Sequence, residues 1–219
     1  MRRLVRLFRG ELTPRRALMR LVEAANARLG RRAQGRLYFE DIYREGDPWL
    51  YETSPYEQAK YAKTLEFLPQ PRFLRALEAG CSIGVFTQRL SARADEVVGI
   101  DISARACRRA RARCREQRHV RIERADLSSF SDAKGFDLVV CAEMLYYLWD
   151  LPSDRRVACR RVAELLRPGG WLVLVFGKDA VGQDWEGEME STGKFVLGEP
   201  RFFEDPTRPW RLSILQKRA

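Results

Sequence analysis

Short, largely apolar runs alternate along the chain with stretches in which apolar residues recur every three or four positions. The runs Leu77–Ala79 and Glu96–Ile100 are typical of buried strands. After the second run, Ser103–Arg118 shows helical spacing and many arginines, and it is predicted to be an exposed outer helix. The apolar face of this helix holds Ala104, Cys107, Ala110 and Cys114. Strands that alternate with helices predict an α/β fold with an open sheet.

The two ends of the chain add further elements. Leu151–Leu166 predicts a helix, and Arg167–Gly170 predicts the turn after it. Phe195–Phe203 and Trp210–Leu215 predict two final strands. Near the start, Thr13–Leu29 predicts a helix, because a hydroxyl residue at the cap and a proline at the first helical position favour helix initiation.

A turn with two glycines follows the first of these strands. Gly80 lets the backbone turn where a Cβ atom would block a ligand, and Gly84 lets the next helix approach closely. Asp101 ends the second strand, where an acid can hold two ribose hydroxyls. A dinucleotide fingerprint would need glycine in place of Ser82 and Val85, and the sequence has no GxxxxGK[ST] loop. The turn therefore indicates a nucleoside-type cofactor without a pyrophosphate.

Four segments in order resemble motifs of the Rossmann-like S-adenosylmethionine-dependent methyltransferases. Glu78–Gly84 resembles motif I, and Ala125–Leu127 resembles the acidic turn after the third strand. Gly135–Glu143 resembles the fourth strand, and Leu166–Leu174 the turn into the fifth. The resemblance implies a seven-stranded, mostly parallel sheet with an antiparallel last strand and an N-terminal helical lid. It also implies S-adenosylmethionine as the cofactor and S-adenosylhomocysteine as the product.

The same resemblance implies which residues bind the cofactor. Glu78, Gly80 and Ser82 would border the methionine arm, Asp101 the ribose, Asp126 and Leu127 the adenine, and Ala142 the sulfonium side. Cys81, Gly84 and Ile102 would also belong to the cofactor site. No metal is implied.

Residues 43–61 combine five aromatic side chains with acids and a proline turn, without a regular amphipathic stripe. Rings with polar tips just ahead of the cofactor fold suit a lid that stacks on a ligand and excludes water. The predicted lid residues are Trp49, Tyr51 and Tyr61. The alternative is a helix packed on the sheet edge, with Trp49 as an ordinary anchor.

Two segments, Asp47–Tyr61 and Ala142–Leu148, resemble the nodulation protein S branch of these methyltransferases. That branch includes enzymes that N-methylate a deacetylated glucosamine at the non-reducing end of chito-oligosaccharides. The resemblance begins at about Tyr43, and it implies a small-molecule acceptor, with an amino sugar or a related amine as the best candidate.

Glu143 is the predicted catalytic residue, because the fourth strand should deliver its carboxylate to the ligand edge. A carboxylate can orient an amine and balance the ammonium that forms. Tyr146 and Tyr147 follow, and either line the acceptor pocket or pack on the next helix. The single histidine, His119, precedes a predicted strand, so a histidine base is disfavoured. This favours methylation of nitrogen, with small-molecule O-methylation as the alternative.

Residues 1–36 hold eleven arginines and two glutamates, a net charge of +9 out of +10 for the chain. Such a basic arm could dock on nucleic acid, on protein or on an anionic membrane, and a nucleic-acid or protein methyltransferase is a further alternative. However, arginine outnumbers lysine 34 to 6 along the whole chain, and the arm has little aromatic interleaving. We therefore interpret the arm as a solvated helical face or lid, and expect neither a nucleic-acid nor a membrane partner.

The remaining features concern compartment and organisation. Five scattered cysteines without a C-x-x-C pair disfavour disulfides and a zinc site. No apolar run is long enough to span a membrane, and arginines interrupt every signal-like region. We expect a cytoplasmic protein with two parts: residues 1–60 as a basic helical segment and lid, and residues 61–219 as the S-adenosylmethionine-binding domain. The sequence carries no signature of an oligomeric state.

Overall fold

The computed structural model describes residues 35–147, 152–177, 184–205 and 208–219. The predicted helix Thr13–Leu29 and almost all of the basic arm lie outside the described residues. Within these ranges, the chain forms a mixed sheet of eight strands with helices on both faces.

The bounds of the elements follow the predicted alternation of strands and helices. The strands are β1 Phe73–Ala79, β2 Ala94–Asp101, β3 Val120–Arg124, β4 Phe136–Ala142, β5 Leu166–Gly177, β6 Phe195–Leu197, β7 Arg201–Phe203 and β8 Trp210–Lys217. The helices are α1 Gly35–Ile42, α2 Pro55–Glu66, α3 Val85–Leu90, α4 Ala104–Arg113, α5 Pro152–Leu165 and α6 Trp185–Ser191. Single 3₁₀ turns are formed by Tyr43–Glu45, Ser91–Arg93 and Leu145–Tyr147.

The strand order is β3-β2-β1-β4-β5-β8-β6, and β7 also pairs with β8. Strands β1 to β5 are parallel, and β8 is antiparallel to β5. Because β6 and β7 pair with different parts of β8, the eight strands occupy seven positions, which agrees with the predicted seven-stranded sheet. The prediction of one continuous strand over Phe195–Phe203 is wrong, since residues 198–200 belong to no strand. Pro200, which has no N–H, ends this break.

The core lies in two layers, one on each face of the central strands. Successive side chains of β4 point to opposite faces, so that Val139 packs in one layer and Val140 in the other. Helices α5 and α6 cover the first layer, and α2, α3 and α4 cover the second.

The order of the strands reverses between β1 and β4, where the chain has crossed to the other side of β1. In open α/β sheets, ligands bind beyond the carboxyl ends of the strands at such a point. Gly80 follows β1, Asp101 ends β2 and Glu143 follows β4, so all three residues lie at this edge.

Candidate active site

The turn after β1 has an unusual backbone. Gly80, Ser82 and Gly84 have φ angles of +76°, +51° and +80°, in the region that favours glycine. A Cβ atom at Gly80 would lie 2.9 Å from Cβ of Met144, and one at Gly84 would lie 2.9 Å from Cα of Ala110. The two glycines thus allow close approaches that a larger residue would prevent. Ser82 adopts this conformation without being glycine, a kind of strain that clusters at functional sites.

Asp101 holds this turn against the end of β2. The Ser82 N–H donates to Oδ2 of Asp101 at 2.9 Å, and the Ser103 N–H donates to Oδ1 at 2.8 Å. Burial raises the pKa of Asp101 to about 6, although these hydrogen bonds act in the opposite direction. Each carboxylate oxygen retains a second lone pair, so Asp101 can still accept hydrogen bonds from ligand hydroxyls.

Glu78 is buried at the end of β1. Its carboxyl accepts a hydrogen bond from the hydroxyl of Thr87. Burial raises the pKa of Glu78 to about 8, and the hydrogen bond from Thr87 only partly offsets this. A cation beside Glu78 would favour its ionised form.

A cavity of about 40 Å³ lies between this turn and α2. Its lining brings together eight of the predicted site residues: Tyr51, Tyr61, Glu78, Gly80, Cys81, Ser82, Ala142 and Glu143. The lining also includes Glu57, Lys60, Val85 and Phe86, which sequence reasoning did not assign to the site.

The other predicted cofactor residues lie outside this lining. Asp126 follows β3, and its Oδ1 accepts from the N–H and the hydroxyl of Ser128 at 2.8 and 2.7 Å. Leu127 is buried and packs in the core. Ile102 follows β2 directly, and its carbonyl accepts from Nε of Arg124 at 3.3 Å. The roles of Ile102, Asp126 and Leu127 toward ribose and adenine stay predictions.

An aromatic cluster packs beside the turn. The Tyr43 hydroxyl donates to Oγ of Ser82 at 2.7 Å. The ring centroid of Trp49 lies 5.5 Å from that of Tyr43 and 5.6 Å from that of Tyr51. Tyr61 is buried on α2. The segment before α2 therefore reaches the predicted cofactor turn through side chains.

Two side chains tie this segment to α4. Arg109 donates to the carbonyl groups of Tyr43 and Gly46, the second at 2.9 Å. Glu40 accepts from the N–H of Ala104 at 2.6 Å, at the helix N-terminus, where an anion is favourable. Arg109 of this predicted outer helix is thus half-buried, and its guanidinium holds the segment in place.

Glu143 lies at the centre of a group of charged and polar side chains. Its φ is +52°, again rare for a non-glycine residue. Oε1 of Glu143 accepts from Nζ of Lys60 at 3.0 Å, and Oε2 accepts from the Tyr146 hydroxyl at 3.0 Å. Burial alone would raise the pKa of Glu143, but the charges of Lys60 and Arg208 and hydrogen bonds from Lys60 and the Gly177 backbone hold it below its usual value.

Lys60 also contacts a second carboxylate. Nζ of Lys60 lies 3.0 Å from Oε2 of Glu57, and the two side chains are 3% and 6% exposed. Both project from α2, which begins at Pro55 after the cap residue Ser54. A usable sequence signal existed, because a helix that packs only for stability carries apolar residues at the spacing i, i+3, i+4, i+7. Here the positions at that spacing are Glu57, Lys60, Tyr61 and Thr64.

Three more aromatic side chains complete this side of the cleft. The ring centroid of Tyr147 lies 4.5 Å from that of Tyr146 and 5.2 Å from that of Phe39 on α1. The hydroxyl of Tyr56 is buried and has no hydrogen-bond partner among the described residues. The guanidinium carbon of Arg208, which sequence reasoning also missed, lies 5.8 Å from the Tyr56 ring.

The described ranges also bear on metal ligands, membrane spans and the single histidine. Within them, no three His, Cys, Asp or Glu side chains are grouped so that they could hold a metal ion. No helix of the described part of the chain has both the length and the apolar character that crossing a membrane requires. Nε2 of His119 lies 3.0 Å from the Ser91 carbonyl oxygen, at the amino end of β3 and away from Glu143.

Several known proteins are similar to this chain in fold and in sequence. The crystal structure of the N-methyltransferase NodS from Bradyrhizobium japonicum WM9 with S-adenosyl-L-homocysteine matches with a TM-score of 0.76 and 26% identity, over 84% of this chain and 98% of that one. Nodulation protein S of Rhizobium tropici is 36% identical over 140 residues, which are 64% of this chain and 58% of that protein. The ubiquinone biosynthesis O-methyltransferase of Leptothrix cholodnii is 30% identical over 105 residues, 46% of this chain and 43% of that protein.

These matches agree with the fold and motifs described above. The chain spans less than two thirds of the length of the curated relatives named here. The structural match confirms the predicted Rossmann-like methyltransferase fold. A family model described as Nodulation protein S (NodS) matches residues 36–199, from α1 to the edge strands. The chain belongs to the nodulation protein S family.

Proposed function

We propose that this protein is an S-adenosylmethionine-dependent methyltransferase that N-methylates a small-molecule amine, with an amino sugar as the best candidate acceptor. The observation that carries the proposal is the cavity at the switch point of the sheet. On one side it has the glycine turn and buried Glu78, and on the other the ionised carboxylate of Glu143. Family membership and the S-adenosyl-L-homocysteine bound in the NodS structure support it.

The residues of the β1–β2 side fit this cofactor. Asp101 would accept hydrogen bonds from the ribose hydroxyls, and the absent Cβ at Gly80 leaves room beside the backbone. Glu78 would face the cationic methionine arm and become ionised there. Tyr51 lines the cavity together with Glu78 and Gly80, so the segment before α2 would cover the bound cofactor. When bound, the cofactor supplies an electrophilic methyl group on its sulfonium.

The Glu143 side would position the acceptor. Methyl transfer is an in-line displacement, so the protein mainly has to orient and desolvate the nucleophile. The Glu143 carboxylate would accept a hydrogen bond from the amine and balance the positive charge that develops on nitrogen. Tyr146 and Lys60 hold the two oxygens of this carboxylate, so its direction is fixed before the acceptor arrives.

The charges of this group favour nitrogen over oxygen. A neutral amine needs no base, whereas an unactivated hydroxyl usually does. Glu143, with its lowered pKa, is a poor base, and burial raises the pKa of Tyr146 well above its usual range. The similarity to ubiquinone biosynthesis O-methyltransferases makes oxygen methylation the second candidate.

The five cysteines, all free and buried, suit the reducing conditions of the cytoplasm, where we propose that the protein acts.

The direct test uses S-adenosylmethionine with two chito-oligosaccharides that differ at the non-reducing end, one with a free amine and one N-acetylated. We expect mass spectrometry to show one added methyl group on the free amine and none on the acetylated oligomer. A panel of simple amines and of matched alcohols and phenols separates nitrogen from oxygen. Methylation confined to hydroxyl acceptors would contradict the proposal.

A further inference from the structure

We infer that Lys60 is a positioning residue for methyl transfer: its ammonium bridges Glu57 and Glu143, and keeps the Glu143 carboxylate ionised and aimed at the acceptor. This inference rests on the proposed function and assigns a role to a residue that does not itself have to touch the reacting atoms.

The geometry places Lys60 between two structural elements. Its Nζ lies 3.0 Å from Oε2 of Glu57, on the same helix, and 3.0 Å from Oε1 of Glu143, beyond β4. Lys60 is 2% exposed, so water contributes little to its solvation. Its backbone carbonyl accepts from the Thr64 hydroxyl at 2.8 Å, and its Nζ lies 4.9 Å from the Tyr56 ring centroid. The two carboxylates and the Tyr56 ring therefore hold the ammonium, and the Thr64 hydroxyl bonds the backbone of the same residue.

The electrostatic consequence follows from burial. Two carboxylates that share a buried site cannot both stay ionised without a cation between them, and one then takes up a proton. Arg208 and the hydroxyls of Tyr146 and Tyr56 also face Glu143, but among the described residues Lys60 is the cation in direct contact with both carboxylates. Without Lys60, Glu143 would lose part of its charge or turn away from the cleft.

The ion pairs of Lys60 also connect α2, and the aromatic segment before it, to Glu143 at the carboxyl end of β4. Glu57 and Lys60 lie on the first turns of α2, which directly follows the aromatic segment of Trp49 and Tyr51. Any outward movement of α2 would separate Lys60 from Glu143. The Lys60 bridge therefore exists only while α2 is in place, so the position of α2 and the orientation of Glu143 are coupled.

The first arm of the test measures the carboxyl groups directly and needs no methyl transfer. Proteins with ¹³C-labelled glutamate carboxyls are titrated by NMR, and the signals of Glu57 and Glu143 are assigned by their loss in Glu57→Gln and Glu143→Gln. In Lys60→Met, we expect this pair to take up its first proton at least about one pH unit higher than in the wild type. Lys60→Arg should keep the wild-type titration. An unchanged titration in folded Lys60→Met overturns the inference.

The second arm measures turnover with an amine acceptor. We expect Lys60→Met to lower kcat about 10²-fold at neutral pH, with the KM for S-adenosylmethionine little changed, while Lys60→Arg stays within about tenfold of the wild type. The acid limb of the pH–rate profile should move to higher pH in Lys60→Met, and adding Glu57→Gln should move it back. A loss of kcat without a moved acid limb would mean a merely structural role. A wild type that methylates no amine would sink the proposed function, while the titration would still report on Lys60.

Discussion

The two sides of the cleft, which we call its walls, differ in the charges that surround their buried carboxyl groups. The wall formed by β1 and β2 presents two buried carboxyls, Glu78 and Asp101, whose pKa values burial raises to about 8 and about 6. The wall formed by α2 and the end of β4 presents Glu143, whose pKa is lowered because Lys60 and Arg208 lie beside it. Among the residues that the structure describes, neither acid of the first wall forms an ion pair with a basic side chain, whereas Glu143 in the second wall pairs with Lys60.

This difference indicates what each wall binds. A cationic ligand lowers the cost of ionising a buried carboxyl, so the β1–β2 wall suits the cationic arm of S-adenosylmethionine. The Glu143 wall would gain less from a cation, because Lys60 already occupies one oxygen of the carboxylate. It suits a neutral amine, the form that can attack a methyl group.

The largest effect is expected on cofactor affinity, from a substitution of Asp101 in the β1–β2 wall. Asp101→Ala should weaken S-adenosylmethionine binding about 10²–10⁴-fold, since two charge-assisted hydrogen bonds of about 1.5–3 kcal/mol each are lost. Isothermal calorimetry measures this. Asp95→Ala, on the same strand but exposed, is the matched control and should bind normally. Unchanged affinity in Asp101→Ala would remove the β1–β2 wall from cofactor binding.

The next largest effect is expected on kcat, from Glu143→Gln in the wall formed by α2 and the end of β4. It keeps the size of the side chain but removes the charge, so kcat should fall about 10²–10³-fold, as when a preorganised electrostatic group is lost. Steady-state kinetics with an amine acceptor measures the change. Glu66→Gln, at the exposed end of α2, should have wild-type kcat. Near-full turnover in Glu143→Gln would make Glu143 a structural residue.

A smaller effect is expected at Tyr51, which lines the cavity between the walls. Tyr51→Ala removes its ring packing with Trp49, and aromatic pairs contribute about 0.5–1.5 kcal/mol. The KM for S-adenosylmethionine should therefore rise about three- to tenfold. Phe202→Ala, at the exposed sheet edge, serves as the control. Equal kinetics in both variants would argue against a lid.

A different kind of effect concerns the pH dependence of stability. The pKa of Glu78 is raised from its ordinary value of 4.5 to about 8 in the folded protein. Between these two pH values, the folded state keeps a proton on Glu78 that the unfolded state has lost. The stability contributed by protonated Glu78 is thus present below its unfolded pKa and is lost as pH rises towards 8. The Tm should fall from pH 5 to pH 8, and Glu78→Gln should flatten this decline. Parallel Tm curves for the two proteins would show that Glu78 is ionised throughout.

The sequence predicted the two walls unequally, for a physical reason. The β1–β2 wall is built from a short turn and the acid at the next strand end, so Gly80, Ser82 and Asp101 leave a local pattern. The Glu143 wall depends on a contact across 83 positions, between Lys60 and Glu143, which local spacing does not encode. The only sign of this contact in the sequence was the row of polar residues at helical spacing along α2. The mostly parallel sheet with its antiparallel last strand was likewise predictable through the family resemblance, but the break before β7 at Pro200 was not.

Titration of Glu143→Gln with S-adenosylhomocysteine, next to Asp101→Ala, tests the division of the cleft most directly. If one wall binds the cofactor and the other orients the acceptor, Glu143→Gln should bind S-adenosylhomocysteine within about threefold of the wild type, a difference below about 1 kcal/mol. Asp101→Ala should show no measurable heat at the same concentrations. Comparable loss of affinity in both variants would contradict the division, because Glu143 would then belong to the cofactor site.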